Sequence, residues 1–358
     1  MTFNRNKPYN DLQLLPPQEN METQEVLKKA ISANRVLAEL KGIGSIIPNQ
    51  GMLVNNIVLQ EARRSSEIEN IVTTQDDLFQ AAASLQASTP PEIKEVLRYR
   101  EALWQGFTSL KSRPLSTTTM VTIAQTVKQS SIDIRKQNGT KIANSQGEVI
   151  YTPPDGEQVI RDKLENLEQF IHANDEVDPL IKLAIIHYQF EAIHPFIDGN
   201  GRTGRILNIL YLIEAGLLEI PVLYLSDYII KNKNDYYQGL RQVTEQGAWI
   251  PWTLYILDAI EVTATQTKDK IISIRELLEQ TSDLVKNKAP KVYSKDLIDV
   301  LFTHPYCKIA FLVESGIAKR QTASVYLQNL EELGVLKSEK RGREVYYINH
   351  QLMERLQQ

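Results

Sequence analysis

The rhythm of hydrophobic and polar positions changes several times along the chain, and each change marks an element. Residues 1–20 scatter apolar side chains among Asn10, Asp11, Pro16 and Pro17, which predicts an extended arm. From Met21 the apolar positions recur at helical spacing: Val26, Ala30, Val36, Leu37 and Leu40, then Leu53, Ile57, Val58 and Leu59. They predict amphipathic helices broken at Gly42-Ile43-Gly44 and at Pro48-Asn49-Gln50-Gly51. Helical signals continue over 78–110 and resume over 118–129. Between 138 and 154, β-branched and aromatic residues alternate with turn formers around Gly139 and Gly147, as in a short hairpin ended by Pro153 and Pro154. We call this hairpin the flap.

Asp178-Pro179 then offers a helix cap with proline at the first helical position, ahead of the long apolar run 180–190. That run predicts a buried central helix. A second apolar helix over 202–215 stops at Gly216, further helices cover 232–243 and 249 to about 284, and Lys286-Asn287-Lys288-Ala289-Pro290 reads as a linker. The last segment predicts helices at 294–303, 308–314 and 318–333, then short strands at 335–337 and 345–348 around the polar tip Lys340-Arg341-Gly342-Arg343. That order matches a winged helix-turn-helix.

Composition narrows the class. With 358 residues, 42% hydrophobic and 23% charged, the chain can bury a large core and reads as a soluble globular protein. A net charge of −4 implies no large basic surface on the whole molecule. Cys307 is the single cysteine, which excludes an intrachain disulfide, suits a reducing compartment and otherwise reads as a small apolar filler. No apolar run approaches the roughly 18 residues that span a bilayer and the N-terminus lacks a signal-peptide pattern, so no membrane partner and a cytoplasmic location are expected.

The chemistry is densest between the two apolar helices, in His194-Pro195-Phe196-Ile197-Asp198-Gly199-Asn200-Gly201-Arg202-Thr203-Gly204-Arg205. Gly199 and Gly201 flank Asn200 where one helix has ended and the next begins, so several backbone N–H groups can converge as an anion nest. The helix N-terminus adds about half a positive charge, and Arg202 and Arg205 add two full ones, with forks suited to phosphate oxygens. Asp198 fits amid that positive charge if it holds a hard cation such as Mg²⁺ beside substrate phosphates. His194, with an ordinary pKa near 6.5, is a base for a hydroxyl nucleophile. Taken singly, these residues are a helix cap, two solvated arginines and a core histidine; together they indicate a Mg-nucleotide site.

The run resembles the signature of the Fic family, H-P-F-x-[DE]-G-N-G-R-x-x-R, at every fixed position, and the resemblance extends over roughly residues 50–260. It implies a mainly α fold: a Fic-type helical core with a β-hairpin flap, plus a small α+β winged helix-turn-helix domain. Residues 1–110 would be the N-terminal arm and helical region, 111–285 the catalytic core with the flap near 140–154, and 291–358 the winged helix-turn-helix. The implied activity is transfer of AMP from ATP to a Ser, Thr or Tyr hydroxyl of a protein, itself included, with release of pyrophosphate. Carried onto this chain, His194 is the general base and Asp198 the Mg²⁺ ligand. The implied ATP site comprises Glu69, Gly199, Asn200, Gly201, Arg202, Thr203, Gly204, Arg205 and Tyr236. His187 and Glu191, four residues apart on one helical face, are either a metal pair or polar contacts under the loop. Tyr236 is either a nucleotide contact or ordinary packing.

Upstream, Ser65 and Glu69 share a helical face and Asn70 follows, a pattern that by itself describes a solvated acidic helix. It also resembles the family's inhibitory motif, [ST]-x-x-x-E-[GN], which implies that Glu69 pairs with Arg205 and spoils the alignment of ATP. Removal of AMP and transfer of another phosphate-containing group remain alternatives for the same pocket. Flap residues Val149, Ile150 and Tyr151 are expected to dock an extended target segment as an added strand, or form a plain surface hairpin. From Lys291 onward there are ten Lys or Arg against eight Asp or Glu. Lys319, Arg320, Arg341 and Arg343 are candidate DNA contacts, though a winged helix equally serves as a packing platform. A DNA-binding regulator and a homodimer are therefore further candidate states.

Overall fold

In the computed structural model the described residues are 3–46, 50–83, 89–144, 146–341 and 344–357. The N-terminal half supplies α1 (Gln24–Ile46), α2 (Gln50–Ile68), α3 (Gln75–Ala83), α4 (Pro91–Ser109) and α5 (Thr117–Lys128). The flap follows as β1 (Ile142–Ala143) and β2 (Val149–Tyr151), then α6 (Glu157–Ile171), α7 (Pro179–Ile193), α8 (Asn200–Glu214), α9 (Leu225–Lys231), α10 (Lys233–Gln246) and α11 (Trp249–Lys288). The last part contains α12 (Lys295–Thr303), β3 (Tyr306–Cys307), α13 (Ile309–Glu314), α14 (Arg320–Glu332), β4 (Lys337–Arg341), β5 (Glu344–Ile348) and α15 (His350–Gln357). The fold is mainly helical, with one two-stranded antiparallel flap and one three-stranded antiparallel sheet of order β3-β5-β4.

α7 is the axis of the core. It is mostly apolar and buried on nearly all sides, and a helix of that kind is stable only when surrounded. Leu180, Ile181 and Lys182, on successive faces, are all buried. Its start is set by Asp178, whose carboxylate accepts from the Leu180 N–H at 2.8 Å, and by Pro179 at the first helical position. α6, α8, α10 and α11 pack around it, and the indole of Trp252 on α11 donates to the Ala184 carbonyl at 2.8 Å. The motif loop leaves the C-terminal end of this buried rod and enters α8, so both of its ends are fixed.

Several elements differ from expectation. Gly42-Ile43-Gly44 does not break α1, because that helix packs along α11 and the tertiary contact outweighs about 1 kcal/mol of lost propensity per glycine. Pro48, Asn49 and residues 84–88 lie outside the described residues. Lys286-Asn287-Lys288 is the last turn of α11, where cations suit the negative helix end, and not a linker. α6, α9, β3 and α15 were not among the expected elements. The signal for α6 is present all the same in Ile160, Leu164, Leu167 and Ile171, which are buried at helical spacing.

The C-terminal segment is fastened to the rest. Asn55 and Asn56 of α2 donate to the carbonyls of Thr303 and Phe302 at 3.0 and 2.9 Å, capping the end of α12. Lys270 of α11 donates to the Leu356 carbonyl at 3.1 Å, and Arg341 donates to Gln80 of α3 at 2.6 Å. Of the candidate DNA contacts, Lys319 and Arg320 are exposed at the start of α14. Arg341 is instead engaged with Glu339, Gln80 and the face of Tyr306, and Arg343 lies outside the described residues. Cys307 is buried, and burial pushes its thiol up to about 12, as expected of an inert filler.

α4 and α8 meet at a glycine: a Cβ on Gly106 would stand 2.5 Å from Cδ1 of buried Leu210. Gly106→Val is therefore expected to destabilise the protein by about 1–3 kcal/mol through overpacking. Urea denaturation would read this as a lower midpoint with an unchanged slope, and an unchanged midpoint would contradict the close packing.

Candidate active site

The motif loop is held from within. His194 ends α7 in the left-handed conformation, φ 49°, and Gly199 starts α8 from the same region, φ 84°. Between them Asn200 folds back: its amide oxygen accepts from the Phe196 N–H and its amide nitrogen donates to the Phe196 carbonyl, both at 2.8 Å. Asn200 thus spends its side chain on the loop, leaving its own N–H and that of Gly201 for an anion, while the Gly199 N–H donates to Asp198 Oδ1 at 2.6 Å. Phe196, fully buried against Phe190, anchors the turn. Thr203 and Gly204 lie buried in the first turn of α8, and a Cβ at Gly204 would collide with the Glu191 carboxylate.

The arginines are already engaged. Arg205 is 1% exposed; its Nε donates to Ser65 Oγ and its Nη2 to the Ser65 carbonyl and to Glu69 Oε1, all at 2.8 Å. The Glu69 carboxylate rests against Gly201, where any Cβ would overlap Oε1, so it borders the loop expected to form the anion nest. Burial works against ionisation of Glu69, but Arg205, Arg202 and Lys233 outweigh it and hold the carboxyl below its ordinary range. Asn70 takes the left-handed conformation, φ 63°, and ends α2, with the Ile71 N–H returning to the Ser66 carbonyl at 3.0 Å. Its part is to turn the chain just after Glu69. Arg202 donates to Glu95 of α4 at 2.5 Å.

Asp198 is 60% exposed at its side chain and pairs with Lys128 at 2.6 Å. Partial burial opposes its ionisation, yet Lys128 and Arg202 keep its carboxyl below the usual range. Among the described residues no group of three His, Cys, Asp or Glu side chains is placed to hold a metal. The donor set therefore suits a cation that arrives with phosphates and takes one protein carboxylate, and does not suit an all-protein cage.

His194 and Arg205 open on one cavity of about 470 Å³, which Glu69, Glu191, Gly201, Ile150, Tyr151, Tyr236 and Tyr237 also line. A larger cavity of about 930 Å³ lies near Asn55, Arg98 and Trp104 and includes no motif residue. Burial, reinforced by the charge of Arg135, pushes the His194 imidazole down to about 4, so it is neutral and able to accept a proton at pH 7. Tyr236 lines the cavity but is 2% exposed, and its hydroxyl meets His187 Nε2 behind the wall at 2.9 Å, so the pair packs as polar contacts. His187, stacked on Trp252, is pushed down to about 3 by burial. Glu191 is pushed up to about 7 by burial, despite Arg205 nearby. The aromatic ring left open in this wall is Tyr237, 42% exposed.

The flap stands over the cavity, with Ile142 opposite Tyr151 and Ala143 opposite Val149. Tyr151 is tied inward, its hydroxyl donating to the Ala192 carbonyl at 2.8 Å, so its side chain anchors the flap and is not free for a target. The N-terminal arm runs beside the flap. The Tyr9 N–H donates to the Thr152 carbonyl at 3.0 Å, and Phe3 stacks on Tyr151 and lines the cavity. The reading of the sequence missed Arg135, Glu95, Lys128 and Phe3. Arg135, Glu95 and Lys128 meet the motif and Phe3 meets the flap, each from a distant stretch of chain that no local pattern marks.

Comparison with known proteins agrees with this geometry. Residues 27–108 match the profile "Fic/DOC family N-terminal", residues 114–212 "Fic/DOC family", and residues 277–352 "Protein adenylyltransferase SoFic-like, C-terminal domain". A protein of Aquifex aeolicus named "Probable protein adenylyltransferase" is 28% identical over 169 residues, 47% of this chain and 47% of its own length. "Protein adenylyltransferase fic-1" of Caenorhabditis elegans is 33% identical over 110 residues, 30% of this chain and 20% of its own. The chain thus spans about half, or less, of these relatives. The crystal structure of a Fic family protein from Desulfovibrio desulfuricans G20 shares the fold, with a TM-score of 0.56 at 17% identity, covering 93% of this chain and 98% of that one. No helix among the described residues is long and apolar enough to cross a membrane. By its profile matches, its fold and the loop from His194 to Arg205, the chain belongs to the Fic/DOC family.

Proposed function

We propose that this protein is a self-restrained adenylyltransferase that moves AMP from ATP to a hydroxyl side chain of a protein. The observation that carries the reading is the Glu69 carboxylate held on Arg205 against Gly201, with His194 opening on the same cavity. A carboxylate in that place imitates the phosphate the nest is shaped for. Its withdrawal would release the Arg205 donor that it occupies to the γ-phosphate, with the α- and β-phosphates on the N–H groups of Asn200 and Gly201.

In the reaction the target hydroxyl oxygen bonds to the α-phosphorus, and the bond from that phosphorus to the bridging oxygen breaks. Pyrophosphate leaves, and the hydroxyl proton passes to a ring nitrogen of His194. The chain contributes position and charge: the loop fixes the base, the nest fixes the phosphates, and Arg202 and Arg205 offset their charge. Asp198 would hold Mg²⁺, which when bound neutralises phosphate charge. The target segment would run along the free side of β2 near Val149 and Ile150, bringing its hydroxyl to His194.

Glu69→Gly should raise transfer of labelled AMP to the protein itself or to lysate proteins roughly 10- to 100-fold, the equivalent of one charge-assisted hydrogen bond of about 1.5–3 kcal/mol. Adding His194→Ala should lower that rate by about 10²- to 10⁴-fold. Mass spectrometry would identify the group gained, and a Glu69→Gly protein that labels neither itself nor any lysate protein would overturn the reading. In the same background Asp198→Ala should raise the Mg²⁺ concentration needed for half-maximal rate, and an unchanged requirement would remove Asp198 from that role. Ile150→Pro should impair target modification far more than ATP binding measured by calorimetry, whereas equal loss of both would count against docking on the flap.

A further inference from the structure

Arg135 follows α5 in Ile132-Asp133-Ile134-Arg135 and is 2% exposed. Taking a guanidinium out of water is costly unless its donors find partners. Its nearest carboxylate does not account for the burial: Asp155 Oδ1 stands 3.6 Å from Nη1, and among the described residues neither atom has a hydrogen-bond partner. The donors go to main-chain carbonyls instead. Nε donates to His194 at 2.8 Å, and Nη2 donates to Ile193 at 3.3 Å and to Pro154. The backbone N–H of Arg135 donates to Pro195 at 2.9 Å.

Three of these carbonyls belong to consecutive residues centred on the base, and the fourth to the segment that leaves the flap. The carbonyls at the end of α7 have lost their intrahelical partners because His194 turns left-handed. That turn costs a non-glycine residue about 1–2 kcal/mol and persists only where the surroundings over-determine it. Lysine has one nitrogen and no fork, and so cannot reach the same set of carbonyls. The flap is also tied to α7 a second time, through the Tyr151 hydroxyl on Ala192.

We propose that Arg135 is the positioning residue of the base: its guanidinium fork fixes the left-handed turn that aims the His194 ring and clamps the exit of the flap to that turn. Base and target strand are then held in one frame. The inference rests on the adenylyl-transfer reading for its kinetic readout alone. The charge of Arg135 has a second effect in the same direction as burial, which is to keep the His194 imidazole neutral. Glu69 of α2 and Asp198 of the loop act the opposite way, and Arg205 of α8, Glu191 of α7 and Tyr151 of β2 line the same cavity.

The sign follows directly. Removing the cation raises the imidazole pKa from about 4 toward its ordinary 6.5, so the acid limb of the rate profile moves to higher pH. The test uses the full chain carrying Glu69→Gly, alone and with Arg135→Gln or Arg135→Lys. The His194 ring is titrated by NMR, and kcat and KM for ATP are measured against pH. In Arg135→Gln the ring should titrate above its parent, still held below 6.5 by burial, the acid limb should follow it, and kcat should fall about tenfold or more with KM for ATP within about twofold. Arg135→Lys should leave the ring's titration near that of its parent and still lose kcat, because charge without the fork does not aim the ring. Parent kcat in the lysine variant would overturn the proposal. So would an unmoved His194 titration in the glutamine variant with kcat falling only in step with the folded fraction. If the Glu69→Gly parent transfers no AMP, the adenylyl-transfer reading fails, while the NMR titration still decides whether Arg135 governs His194. If Arg135→Gln does not fold, the comparison with lysine decides the point.

Discussion

A guanidinium sealed from solvent must satisfy its donors within the protein, and the site is arranged around that demand at Arg205. Its donors meet Ser65 Oγ, the Ser65 carbonyl and Glu69 Oε1, so α2 and α8 are joined at the point where an anion would bind. The same contact orders the neighbourhood. Glu61, one turn before Ser65, is buried and accepts from the Ser226 N–H at 3.0 Å and from Tyr99 at 3.3 Å, so α2, α4 and α9 meet behind the pair. Burial pushes that carboxyl up to about 7, so the helix that leads to Glu69 also carries a buried carboxyl raised above its ordinary range. Any ligand that takes Arg205 must displace Glu69 from a seat this network supports.

The side of His194, the proposed base, is organised by a different device. α7 ends in a residue that is not glycine yet is left-handed, and the loop beyond it is closed by the paired hydrogen bonds of Asn200. Arg135 adds a third constraint from outside the loop and joins it to the flap. Rigidity here comes from main-chain carbonyls held by side chains remote in sequence, which suits a site whose proposed chemistry depends on alignment. The N-terminal arm, through Tyr9 and Phe3, packs against the same flap, so the outer wall of the cavity is built from the start of the chain.

Much of this was legible in the sequence because the relevant physics is local. Periodicity located the helical core, Asp178-Pro179 marked the start of α7, and a base, a carboxylate, two flanking glycines and two arginines within twelve residues marked the chemistry. The i, i+4 spacing of Ser65 and Glu69 put both on the face that meets Arg205. Among the helices, Gly42 and Gly44 were misread as a break, and Lys286 to Lys288 as a linker. In each case a weak local preference yielded to burial along a long helix, a contact that sequence spacing does not display.

The sequence by itself determined the element types, the position of the loop and the residue types that meet there, because propensity, capping and spacing act over one or two helical turns. Tertiary structure alone decided which charges were already paired: Arg202 with Glu95, Asp198 with Lys128, Arg135 with the end of α7. It also decided that Tyr151 points inward and Tyr237 outward. These are contacts between residues far apart in the chain, and they are set by packing and by the need of buried polar groups for partners, neither of which leaves a periodic trace in the sequence.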